Sequence, residues 1–148
     1  MIEINNLTKE RIDKKALIKA AEGVLKKEKK SGLDLSIALV GQSRIKELNK
    51  IYRKKDKPTD VLSFSYYDSL GHSPVSEAGE IVICLSEVKK NAKKSGISSQ
   101  RELIHILIHG VLHVLGHDHE KSKREAEIMR KKEEYYSSVF GKQFNALN

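Results

Sequence analysis

The segment His109-Gly110-Val111-Leu112-His113-Val114-Leu115-Gly116-His117-Asp118-His119 constrains the fold more than any other, because it sets imidazoles at +0, +4 and +10 with a glycine at +7. Residues four apart on an α-helix share one face, with Cβ atoms about 5–6 Å apart, so His109 and His113 meet one ion only if this stretch is helical. Gly116 then lets the chain leave the helix through a left-handed conformation that a β-carbon disfavours, and His119 folds back as a third ligand. Three protein nitrogens and one open position are the catalytic arrangement for Zn²⁺, whereas a closed four-ligand shell reads as structural. One zinc ion per chain is therefore expected.

Metzincin metallopeptidases share this spacing, but there a glutamate after the first histidine acts as general base, and here that position is Gly110. The metal frame is present without the peptidase's base. His105 lies a further turn upstream, too remote to join, and His117 is expected to point away if Gly116 makes the turn. The bland alternative, that the histidines are surface or core residues without a ligand, fits a lone histidine better than three at this spacing.

A chain of 148 residues with 39% hydrophobic and 32% charged residues suits one soluble globular domain spanning 1–148, and no stretch is apolar enough to span a bilayer. Met1-Ile2-Glu3-Ile4 begins directly with a strand-like alternation and lacks a signal peptide's basic-then-apolar pattern, so a cytoplasmic protein without membrane partner is expected. Cys84, the only cysteine, sits in an apolar run and reads as a small buried hydrophobe, which leaves no disulfide-linked partner. Lys and Arg number 28 against 20 Asp and Glu, a net charge of +8, which favours polyanionic partners and makes nucleic acid the leading class. Most of the lysine clusters read as solvated helix faces. Only Arg53 to Lys57 stands out by its surroundings.

Periodicity predicts a short strand at Ile2 to Asn5, a helix from Ile12 to about Lys30, and a strand at Asp34 to Val40. Gly41-Gln42-Ser43 then opens a helix carrying Ile45, Leu48 and Ile51. Strands follow at Val61 to Phe64 and Glu80 to Cys84, separated by a loop from Tyr67 to Ala78. Ser86 is expected to cap a helix to Lys94, Ser99 and Glu102 to form a capping box for the histidine helix, and a last helix to run from Lys121 to Tyr136. Strands early and helices late give an α+β fold: a small mixed four-stranded sheet packed with about five helices, the metal site at the end of a central helix.

A second constellation, Tyr52-Arg53-Lys54-Lys55-Asp56-Lys57-Pro58-Thr59-Asp60-Val61-Leu62-Ser63-Phe64, is a charged loop running into a strand. Arg53 offers a planar fork suited to a phosphate and to the charge of a phosphoryl transition state; a surface salt bridge to Asp56 or Asp60 explains it equally well. Lys54, Lys55 and Lys57 join it as candidate nucleic-acid-binding residues. Together with the histidine block and the strand Gly79-Glu80-Ile81-Val82-Ile83-Cys84, this segment resembles the YbeY family of bacterial rRNA-maturation endoribonucleases, from about Leu35 to His119.

The resemblance implies a zinc held by His109, His113 and His119, with Arg53 and His109 as catalytic residues. It also implies cleavage of single-stranded RNA, processing of the 3′ end of small-subunit (16S) rRNA, and association with the small ribosomal subunit. Two departures stand out: His117 where the family usually has tyrosine, and Glu80 where it usually has aspartate. Such an ion would acidify a bound water or polarise a phosphate oxygen, with Arg53 balancing charge, while the general base stays unassigned. Glu102 is the nearest carboxylate in sequence and reads as a cap. Tyr52, Tyr66 and Tyr67 are candidates for base stacking or for packing. Two other classes stay open: a metallopeptidase, and a non-catalytic ribosome-assembly factor whose zinc pins a helix end.

Overall fold

The computed structural model describes residues 1–66 and 77–141. Strand β1 (Ile2–Asn6) is followed by helix α1 (Lys14–Lys27), β2 (Asp34–Val40), α2 (Gln42–Arg53), β3 (Val61–Ser65), β4 (Glu77–Cys84), α3 (Leu85–Ser95), α4 (Ser99–Val114) and α5 (Lys123–Phe140). The four strands form one sheet in the order β1-β2-β4-β3. β1, β2 and β4 run parallel, and β3 pairs antiparallel with β4 through Leu62 opposite Val82 and Ser63 opposite Ile81. The mixed α+β architecture expected from the element pattern is the one observed.

Alternation along the strands divides their side chains between the two faces of the sheet. Leu35, Ile37, Leu39, Ile81 and Ile83 face α1 and α4 and join one large buried cluster, whereas Val40, Leu62 and Cys84 pack with Ile45 of α2 on the other face. Helix α4 is the centre of the larger layer. Ile104, Leu107, Ile108, Val111, Leu112 and Val114 are all essentially inaccessible, and the helix touches α1, α3, α5, β3 and β4.

Several boundaries differ from expectation. β4 begins at Glu77 because the Tyr66 amide donates to the Ala78 carbonyl (2.9 Å) and Ser65 pairs with Gly79, so the strand absorbs residues that looked like loop. The rest of that predicted loop, with Tyr67 and His72, lies outside the described residues. Helix α4 is capped by Ser98, whose hydroxyl accepts from the Arg101 amide (3.2 Å); the expected Ser99 to Glu102 capping box does not form, since Glu102 is one position too deep. Ser86 caps nothing: α3 starts at Leu85, and the Ser86 hydroxyl sits 3.3 Å from the Cys84 sulfur. Cys84 is fully buried, as the apolar run implied. No helix among the described residues is long and apolar enough to cross a membrane.

Because α4 supplies the middle of the main core, truncating it there opens a cavity lined by other buried side chains. Leu107→Ala is expected to lower the unfolding free energy by about 2–5 kcal/mol, read as a shifted urea midpoint at constant slope.

Candidate active site

The two turns at the end of α4 decide the site. The Gly116 amide donates to the His113 carbonyl (3.1 Å) and the His117 amide to that of Leu112 (3.0 Å), with Gly116 at φ +102°, the double closure that ends a helix through a left-handed residue. Reversal at Gly116 carries the chain back over the helix end. The rings of His109 and His113 lie 6.3 Å apart, His109 and His119 5.6 Å, and His113 and His119 6.3 Å. Three rings sharing a tetrahedral ion at ~2.0–2.1 Å would be separated by about 5 Å. Among the described residues no group of His, Cys, Asp or Glu stands close enough to hold an ion, and the three rings would have to draw slightly together to share one. The donor set, three imidazoles at one end of a rigid helix, fits zinc.

These rings open on a cleft of about 450 Å³ whose other walls are the end of α2, the loop after it and β3. Arg53, Lys55, Lys57, Asp60 and Ser63 line it with His109, His113 and His119. Arg53 is the last residue of α2, and its guanidinium donates to the Ser63 carbonyl (3.2 Å), which turns the side chain across the strand toward the histidines. The alternative salt bridges to Asp56 or Asp60 do not form: Asp56 pairs with Lys46, and Asp60 accepts from Asn91 (3.1 Å). Lys54 takes the left-handed C-cap of α2 and is not part of the cleft wall.

The histidines are held in unlike electrostatic settings. Hydrogen bonding to Glu133 raises the pKa of His109 against the opposing effect of burial, while burial and the charges of His109 and Arg53 push His113 down, favouring a neutral ring with a free lone pair. His117 does point away, as the turn required: its Nε2 meets the Glu28 carboxylate at 2.9 Å. Lys132 and Tyr136 donate to the same carboxylate at 2.8 and 2.5 Å, so α1, the turn after α4 and α5 share one half-buried anion. His105 lies against the Ser137 hydroxyl (3.3 Å), remote from the cleft.

Gly110, where a peptidase would carry its base, faces the sheet. A β-carbon there would sit 2.9 Å from the Ile81 side chain and 3.3 Å from the Ser63 hydroxyl, so a glutamate at this position would force Ile81 to shift. Tyr52 and Tyr66 do not reach the histidines either; they line a separate groove on the α2 face of the sheet, with Tyr52 packed edge-on against Phe64 at 5.2 Å.

The class this fold and cleft define is that of small α+β proteins with three imidazoles facing a basic loop across a cleft. The family model described as Endoribonuclease YbeY matches residues 3–141, and the chain belongs to that family. Similar proteins of that name include one from Persephonella marina, 42% identical over 80% of this chain and 77% of its own. Another, from Carboxydothermus hydrogenoformans, is 42% identical over 95% of this chain and 98% of its own. A solution structure from Thermotoga maritima superposes with a TM-score of 0.71 at 32% identity, covering 99% of this chain and 93% of that one.

Three features are not legible in the sequence: the Glu133 contact to His109, the Glu28 cluster, and the burial of Glu102. Each joins residues far apart in the chain and leaves no local pattern. Glu102 lies on α4 with 8% exposure and accepts no hydrogen bond among the described residues; burial and the nearby Asp60 charge raise its pKa, against the pull of His105. A carboxyl whose folded pKa is raised keeps its proton where the unfolded chain has lost it, so stability falls as pH climbs above the unfolded carboxylate range. Glu102→Gln is neutral at every pH. Its melting temperature is expected to exceed the parent's at pH 7, with the gain shrinking toward pH 4; a constant difference across that range would exclude the titration.

Proposed function

We propose that the protein is a single-strand-specific, zinc-dependent endoribonuclease acting in maturation of the 3′ end of 16S rRNA, working on the small ribosomal subunit in the cytoplasm. The observation that carries this reading is the meeting of Arg53, Lys55 and Lys57 with three imidazoles in one cleft. His109, His113 and His119 would hold the zinc, which when bound supplies Lewis-acid polarisation and an acidified water. Arg53, anchored through Ser63, presents the rest of its fork to a phosphodiester and balances charge that grows on its non-bridging oxygens. Lys55 and Lys57 attract the flanking phosphates. An open cleft bounded by a loop suits a pliable single strand better than a stiff A-form duplex.

The peptidase reading loses its footing at Gly110, which is packed against the sheet. A non-catalytic assembly factor is separated from an enzyme by assay. Purified protein is expected to cut single-stranded RNA, to stop on chelation and to recover with zinc. His113→Ala should fall to background, and Arg53→Ala should lose about 10²–10³ in rate, as when one charge-stabilising donor is removed. Equal cleavage by all samples would mark a contaminant. Binding should also weaken with salt, since Arg53, Lys55 and Lys57 each neutralising one phosphate implies a log–log slope of about −2, at −0.7 per contact for single strands. A flat response would remove phosphate contacts from the account.

A further inference from the structure

Helix α5 carries one side chain that its packing does not explain. Met129, Glu133 and Tyr136 fall on one face at helical spacing; Met129 and Tyr136 are buried in the core, and between them stands a carboxylate with 15% side-chain exposure. An apolar residue at that position would pack without desolvating a charge. The Glu133 carboxylate instead meets Nδ1 of His109 across the α4–α5 interface. Two pairs, His105 with Ser137 and His109 with Glu133, run the helices antiparallel and hold the contact at the cleft end of α4.

We infer that Glu133 is a positioning residue that fixes the proton of His109 on Nδ1 and aims Nε2, lone pair outward, into the cleft. A carboxylate only accepts, so a neutral ring keeps this contact in one tautomer alone, with Nδ1–H as donor. The same bond limits rotation of the ring about its Cβ and makes Nε2 a stronger donor to a cation. His119 lies on the turn after α4, and His113 feels the Asp118 and Arg53 charges without a hydrogen bond to either, so among the described residues His109 is the one of the three rings hydrogen-bonded by a carboxylate from another helix. This inference rests on the metal reading above but makes its own claim about a ring proton.

The test compares the full-length protein with Glu133→Ala, Glu133→Gln and Glu134→Gln, the last altering an exposed carboxylate paired with Arg130. Zinc affinity is measured by competition with a chromophoric chelator, and the His109 tautomer by ¹⁵N NMR of the metal-free protein in alkaline buffer. Glu133→Ala is expected to bind zinc about 10–100-fold more weakly and to lose the Nδ1–H preference. Glu133→Gln, which retains an acceptor without the charge, should keep the tautomer and lose less affinity, and Glu134→Gln should match the parent. Undiminished affinity in folded Glu133→Ala, or a parent His109 protonated on Nε2, would overturn the inference. If Glu133→Ala does not fold, the parent tautomer and the Gln variant decide. A parent that binds zinc with this pattern yet leaves RNA intact would defeat the proposed activity and not the role of Glu133.

Discussion

Burial of helix α4 is the constraint on which the site depends. Its apolar residues are enclosed by the sheet on one side and by α1, α3 and α5 on the others, so the helix can neither rotate nor slide without breaking the main core. His109 and His113 inherit that rigidity because they lie at the one end where the enclosure opens. A ligand pair on a surface helix would have the same spacing without the same fixed direction.

Around that rigid helix the rest of the cleft is assembled from chain ends and turns. The left-handed Gly116 returns the backbone and brings His119 over the helix end; the last residue of α2 delivers Arg53; β3 contributes the carbonyl that holds it. Charge is distributed with the same economy of contacts. Glu133 takes one ring of the trio, Glu28 takes the neighbouring His117 out of it, and Asn91 holds Asp60 at the cleft wall. Burial opposes ionisation of Glu28, yet hydrogen bonds from Lys132, Tyr136 and His117 together hold its pKa below the ordinary carboxylate value. The anion thus serves as a clamp on the turn that carries His119.

Gly110 shows how one position separates two chemistries that share a ligand spacing. In this fold it packs directly against β4, where even a methyl group meets Ile81. The same helix that would present a peptidase's base therefore presents none, and the charged groups facing the cleft come from the α2–β3 connection instead.

Much of this was legible in the chain. The +0, +4, +10 imidazoles with Gly116 specified a helix, its end and a convergent trio, because side-chain spacing on a helix and the left-handed preference of glycine act within a dozen residues. Strand alternation likewise anticipated the sheet and its buried faces. What the sequence could not specify was which distant groups would meet: Glu133 is 24 residues from His109, and Glu28 is 89 from His117. Only the packing of α5 and the end of α1 against α4 decided those pairs, and the same packing turned Glu102 from an expected helix cap into a buried acid. Local rules set the three imidazoles at the helix end; desolvation and long-range contact set their electrostatics.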